Sequence, residues 1–343
     1  MNSKKNLYLI LFFFTLMIFS DLKIRKKNLK ILVAGDAMFN WGFRESRARL
    51  GEFKPVEGLV RLFEEADLRL VNLETPVSDS NITMDVDKSY VFNAKVEDLS
   101  LLKKIKVDVL FLANNHSMDY GKKGFEDTIK NLQAEKFLHS GMGAHLTEAF
   151  QSLEIQIRSN PISINSVSEI GEARLFATES RAGIAGLNLP RLKKIAAEKK
   201  DSIHLLGVHW GVEYSPEPTK KQIKQAKELI DSGFSAVIGH HPHIPQGIEK
   251  YKDGIIIYSL GNFLFGSKNQ YLNHNLTVML HYENQKLIIV EIIPIFGKFQ
   301  NSDHILRELN YREAEEFLLE FSVLCENLGT KIEIKNGRGY IYF

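Results

Sequence analysis

Three histidines fall within four positions in the stretch SAVIGHHPHIPQG (235–247): His240, His241 and His243. Imidazole binds divalent transition metals and carries protons near neutral pH, and here the rings follow an apolar run that reads as a buried strand. Five other segments share that layout. KILVAG (30–35) is followed by Asp36, LRLVN (68–72) by Leu73 and Glu74, and VDVLFLA (107–113) by Asn114, Asn115 and His116. IHLLGV (203–208) leads to His209, and IIIYSL (255–260) to Gly261 and Asn262. Each has an ordinary use when taken singly: Asp36 after a glycine can start a turn, His209 can be a satisfied buried ring, and Gly261–Asn262 can be a turn. Strand after strand delivering Asp, Glu, Asn or His to one rim is a different matter, because ligands of α/β sheets gather outside the carboxyl ends of the strands.

The donor types agree with one another. Carboxylate and amide oxygens mixed with neutral imidazoles suit Mn, Zn or Fe(II), whereas an all-oxygen cage suits Ca or Mg. There are more candidate ligands than one tetrahedral ion needs, which points to one or two divalent ions. Two-metal sites hold their ions roughly 3.5–4 Å apart and clamp the attacking and leaving oxygens of a phosphoester displacement. A carboxylate must bridge such ions, and Glu74 is the candidate.

Such a rim requires a rigid scaffold. The alternation of short apolar runs with helical patterns indicates an α/β fold, a sheet with covering helices. Val56, Leu59, Val60 and Phe63 share one helical face, as do Phe125, Ile129 and Leu132. A helix begun by Pro218 and Thr219 buries Ala226, Leu229 and Ile230. Residues 276–295 read as a hairpin turning at Asn284 and Gln285, and a helix near 311–328 precedes a second hairpin across Asn336–Gly337, a favoured type I′ pair. The stretch 151–190 is polar and poorly periodic and reads as irregular or short strands. One continuous domain over 29–343 is the simplest account, with a motif core at 29–300 and a terminal helix and hairpin at 301–343.

At 343 residues and 44% hydrophobic content the chain can bury a substantial core. Its net charge of +2, from 44 basic and 42 acidic residues, lacks the clustered basic excess of a nucleic-acid binder. The single cysteine, Cys325, excludes an intrachain disulfide and a multi-cysteine zinc site, and its phase with Leu318, Phe321 and Leu328 makes it a small core residue. At the N-terminus (1–28), Lys4 and Lys5 precede an uncharged apolar block from Leu7 to Phe19. That block is short for a membrane span and has the length of a signal-peptide core. The expectation is export to the cell envelope, with the segment retained as a membrane anchor or cleaved.

Six short motifs carry a resemblance: AGD (34–36), NLE (72–74), ANNHSMDYG (113–121), HWGVEY (209–214), GHHPHIPQG (239–247) and SLGNFLF (259–265). In this order they resemble the capsule-synthesis CapA (PGA_cap) family of the calcineurin-like metallophosphoesterase superfamily. The resemblance implies a layered αββα sandwich with its active site at the carboxyl ends of the strands. It further implies that Asp36 and His243 bind a first metal, that Glu74 bridges, and that Asn115, His209 and His241 bind a second. His116 becomes the general acid or transition-state donor, oriented by Asp119. Glu213, Tyr214 and Gln246 line the substrate side, with His240 and Asn262 as accessory members. One position departs from the superfamily: its opening Asp-x-His is Asp36-Ala37-Met38 here, which costs the first site a nitrogen ligand.

Two functions are consistent with this set. One is a metal-dependent hydrolase of phosphoester-type bonds in extracellular polymer metabolism, for poly-γ-glutamate or polysaccharide. The other is a non-hydrolytic accessory protein that binds or transfers an anionic capsule polymer alongside the capsule-synthesis machinery.

Overall fold

The computed structural model describes residues 28–83, 88–266, 274–297, 299–300 and 303–343. The apolar N-terminal block lies outside these residues, and among those described no helix is long and apolar enough to cross a membrane.

The apolar runs divide between two sheets. In the first, Asn28–Met38 pairs in parallel with Leu68–Leu73, which continues through Val109–Phe111 to Leu138–Ser140. On the other side of Asn28–Met38 lies the hairpin His274–Glu283/Lys286–Phe296, extended by the C-terminal pair Glu333–Lys335/Arg338–Tyr342. Both expected turns take the left-handed backbone that a type I′ hairpin needs, with φ of 51° and 66° at Asn284 and Gln285 and of 52° and 71° at Asn336 and Gly337. The second sheet runs Pro245–Tyr251, Gly254–Leu260, Ala236–His240, Ile203–His209, Asn160–Ser168, Leu153–Ile157.

Side-chain alternation turns these sheets into layers. Ile31, Val33, Leu70, Val109 and Phe111 of the first sheet meet Ile164, Leu205, Ile238 and Ile257 of the second in one buried cluster. The opposite face of the first sheet, Leu32, Val71 and Leu110, packs on Phe63, Leu102 and Leu132. Leu206, Val208, Val237 and Ile256 pack on Leu192, Ala226 and Leu229. The result is a four-layer α/β sandwich of helices, sheet, sheet and helices. Cys325 is buried in the inter-sheet cluster beside Leu318 and Phe321, and burial pushes its thiol up to about 12.

Two local readings change. The face through Val56 and Phe63 belongs to two short helices, Lys54–Glu57 and Val60–Glu64, because Gly58 between them lies against Leu306 and Arg307. The stretch 151–190 contains a nine-residue interior strand, Asn160–Ser168. Its polar residues concealed it: Ser163, Asn165, Ser166 and Ser168 are buried, and Asn165 is satisfied by Ser152 and the Phe150 carbonyl. Buried polar groups are tolerated where they are bonded.

Across three adjacent strands of the first sheet, His281 Nε2 and Arg338 meet the two oxygens of Glu291 at 2.9 and 2.6 Å. Burial alone would raise that carboxyl, but His281 and Arg338 hold it down at about 2, against 4.5 for a free glutamate. The folded state therefore binds the proton more weakly than the unfolded one. The stabilisation is complete above pH 4.5 and is lost as pH falls towards 2. Glu291→Gln is expected to be less stable than wild type by about 1–2 kcal/mol at pH 7, after discounting for solvent screening. Urea midpoints measured from pH 7 to 2.5 should show the gap closing in acid; a constant gap would refute the assignment.

Candidate metal centre

The strand ends deliver the rim. In the first sheet Asp36 lies opposite Asn72 on one side and Asn262 on the other; in the second, His240 lies opposite His209. Two motif glycines make this possible by close approach rather than by turning. A Cβ on Gly35 would sit 1.9 Å from the Gly261 carbonyl oxygen, and one on Gly239 would sit 1.9 Å from that of Tyr258. The residues that follow them are Asp36 and His240, whose side chains meet 3.2 Å apart. Beyond the strand, His241 and His243 take left-handed φ values of 97° and 59°, the kind of backbone outlier that clusters at functional sites.

Asp36 is fully buried and much contacted. Its Oδ1 accepts from Asn72 Nδ2 at 2.8 Å, and its Oδ2 from the backbone N–H of His241 at 3.3 Å. His243 Nδ1 stands 3.4 Å from Asp36 Oδ2. Glu74 Oε1 lies 3.7 Å from His209 Nε2 and 3.9 Å from His243 Nε2. His209 Nε2 is in turn 2.8 Å from Asn115 Oδ1, and the His209 and His241 rings are 4.8 Å apart. Residues distant in the chain thus converge on one volume.

The electrostatics of that volume are unbalanced. Burial alone would raise Asp36, but His240 and His243 hold it well below the usual carboxylate range. Burial, with Asp36 adding repulsion, pushes Glu74 well above it. Burial holds His209 far below a free imidazole, with His241 adding repulsion, and burial with the charge of His243 takes His241 down to about 4. For His243, burial is outweighed by Glu74 and Asp36, which raise it to about 9. Two rings are therefore already in the neutral form that a metal requires, while His243 holds a proton that ion binding would displace.

The donors that lack partners test whether these residues fit a metal. Both carboxylate oxygens of Glu74 and Nδ1 of His209 and of His241 are buried without a hydrogen bond. Buried polar atoms are nearly always satisfied, so orphans in one cluster mark a place for a cation. Among the described residues, two triplets bring a ligand atom from each member within 4.8 Å of the others: Glu74–His241–His243 and Asp36–Glu74–His209. Glu74 is common to both, as a bridging ligand would be. The triplets do not reproduce the expected division, which joins Asp36 with His243 and His209 with His241.

His116 stands beside this cluster. Its Nδ1 is 2.8 Å from Asp119 Oδ2, and its ring stacks on Phe92 with centroids 3.8 Å apart. Burial lowers its pKa against the pull of Asp119. Met38 contributes no donor: it is buried with Phe92 and Phe265, and its sulfur accepts from the backbone N–H of Asn40.

The residues expected on the substrate side separate into two groups. Glu213 is exposed, and Tyr214, 52% exposed, has its ring 6.1 Å from that of His243. Gln246 is buried and spends its amide hydrogens on the carbonyls of Ser215 and Glu217, so it shapes the loop under Tyr214 instead of facing the cleft. His240 lies beneath Asp36, 3.2 Å away, against the Phe111 ring. Asn262 Oδ1 meets His243 Nδ1 at 3.0 Å and so orients that ring. These three are supports because their polar atoms turn inward. Lys88 carries no motif or spacing that singles it out, yet its ammonium pairs with Asp119 and donates to the Asn115 carbonyl at 2.9 Å.

A family model described as bacterial capsule synthesis protein PGA_cap matches residues 30–267. The sequence is 29% identical to the capsule biosynthesis protein CapA of Bacillus anthracis over 277 residues, 78% of this chain and 67% of that protein. It is 28% identical to the PGA biosynthesis protein CapA of Bacillus subtilis (strain 168) over 240 residues, 68% of this chain and 62% of the relative. The chain thus spans about two thirds of the length of these relatives. Among solved structures, the NAD nucleotidase NadN of Haemophilus influenzae aligns with a TM-score of 0.47 at 11% identity, covering 86% of this chain and 62% of that one.

Proposed function

The chain belongs to the bacterial capsule synthesis family PGA_cap, and on that premise we propose that it is a metal-dependent hydrolase of phosphoester-type bonds in extracellular polymer metabolism. The observation that carries this reading is the cluster of unpartnered donors around Glu74. Asp36, Glu74, Asn115, His209, His241 and His243 would hold one or two ions of Mn, Zn or Fe. Such an ion supplies Lewis-acid neutralisation of charge developing on the reacting oxygens.

The chain's own groups do the rest. Asp119 accepts from Nδ1 of His116, which leaves the Nε2 lone pair of the neutral ring to take up a proton from the attacking water and then pass it to the leaving oxygen. Phe92 fixes the plane of that ring, and Asn262 fixes that of His243. Glu213 and Tyr214, on the outer loop, meet the part of the substrate beyond the reacting bond. The apolar N-terminal block supports action at the cell envelope.

A second reading draws on Met38. An apolar side chain where the superfamily carries a histidine weakens the first-metal side, and this favours an accessory protein that binds or transfers an anionic polymer without turnover. Assays on aryl phosphates and phosphodiesters, after chelation and re-addition of Mn, Zn or Fe, separate the two. Turnover restored by metal is the result expected for a hydrolase. A protein of measured metal content that is inert across the panel sinks the hydrolytic reading.

A further inference from the structure

We propose that Lys88 clamps an anionic oxygen of the substrate in a pocket beside the metal cluster, and that the apolar wall of this pocket receives the group carrying that oxygen. The proposal rests on the functional reading above and assigns it a substrate class: an oxyanion joined to an apolar stem.

The argument begins with donor counting. Lys88 Nζ pairs with Asp119 Oδ1, donates to the Asn115 carbonyl at 2.9 Å, and lies 3.3 Å from His116 Nδ1. The third contact is not a hydrogen bond. His116 Nδ1 is 2.8 Å from Asp119 Oδ2, and a carboxylate only accepts, so Nδ1 carries the hydrogen and has no lone pair for the ammonium. An ammonium has three donors and no acceptor. Two are engaged, and among the described residues none accepts the third.

The surroundings say what could accept it. Lys88, Asn115 and Asp119 line a pocket of about 320 Å³ together with Met118, Ile170 and Leu175. Asn115 also contacts His209 in the candidate centre, so the pocket and the centre share this residue. Its charges nearly cancel, since Lys88 faces Asp119 and Arg174 pairs with Glu172 at 2.9 Å. A near-neutral pocket in which the Lys88 ammonium keeps one unengaged donor suits an oxyanion of low charge rather than a run of them. Its apolar wall favours an organic ester over a bare inorganic anion. The bland alternative is that Lys88 only locks Asp119 and gives its last donor to water.

Equilibrium binding to the full-length chain decides between these, with phenylphosphonate, the non-hydrolysable counterpart of phenyl phosphate, and inorganic phosphate as probes and metal content measured in every sample. Lys88→Met should weaken phenylphosphonate by roughly 10- to 100-fold, the range of a charged hydrogen bond. Lys88→Arg should restore it to within about threefold, since a cationic donor is kept. Lys88→Gln keeps a donor for Asp119 without the charge; with unchanged melting and metal content it should bind as poorly as Lys88→Met, which covers the case in which the methionine variant fails to fold. Wild type should prefer phenylphosphonate to inorganic phosphate by about tenfold, from burial of the ring.

Wild-type affinity in Lys88→Gln, no binding of either probe to wild type, or equal affinity for the two probes would each overturn the proposal. Binding that depends on Lys88 in a protein that hydrolyses nothing refutes the hydrolase and leaves the clamp standing. Hydrolysis with KM unchanged in Lys88→Gln refutes the clamp and leaves the hydrolase standing.

Discussion

Alanine in place of Asn115 or His241 is expected to lower metal-dependent turnover of an aryl phosphate by roughly 10²–10³-fold, the loss typical when a group stabilising developing charge is removed. Melting temperature should move by only a few degrees. The two effects separate because of where these side chains spend their interactions. His241 Nδ1 makes no hydrogen bond inside the protein, so deleting the ring forfeits none there and loses only ring contacts with His209 and His243. Asn115 Oδ1 contacts His209 Nε2 at 2.8 Å, so its removal releases a ring already in the candidate centre. Neither side chain belongs to the three main apolar clusters that hold the layers together. Elemental analysis of the same preparations should show metal reduced in step with rate. Activity above a tenth of wild type in both variants would mean that the chemistry lies elsewhere.

Glu74→Gln has the second large effect, and it runs in opposite directions with and without metal. Both Glu74 oxygens are buried and unpartnered, and burial with the nearby Asp36 raises its pKa well above 4.5. The metal-free folded state therefore holds this proton more tightly than the unfolded chain does. By linkage, stability of the metal-free protein falls as pH rises from 4.5 through the raised folded value. Glutamine keeps the shape and cannot ionise, so at pH 7–8 the metal-free variant should melt above metal-free wild type, by about 2–6 °C. With metal present the order reverses, because wild type gains more of the binding free energy of the ion than the variant does. A calorimetric scan of both proteins with and without chelator tests this. If metal raises the melting temperature of the glutamine variant as much as that of wild type, Glu74 is not a ligand.

Much of the candidate site was legible because each donor follows directly on the strand that carries it. In AGD, NLE, ANNH and GHHPH the apolar run announces a buried strand, and the polar residue after it can only emerge at a strand end. The hairpin turns at Asn284–Gln285 and Asn336–Gly337 were legible for a similar reason, since their backbone demand is met by adjacent residues. So was the helix after Thr219, whose capping box with Gln222 is written three residues apart.

Other features depend on contacts that local sequence does not encode. Asn160–Ser168 is an interior strand whose serines and asparagines look like loop until their partners are known. Gln246 and His240 sit in motifs beside true cleft residues, and only the packing shows their polar atoms turned inward, to loop carbonyls and to Asp36. Lys88 has no local pattern at all, because it reaches Asp119 and Asn115 across 31 and 27 positions. Which residue types could bind a cation, and that strands would present them, follows from the order of amino acids alone, since apolar periodicity and strand-end position are local properties. Which of those side chains share one volume, which are spent on supporting it, and which cation stands beside it were decided by two sheets closing on each other, an arrangement made by contacts between residues far apart in the chain.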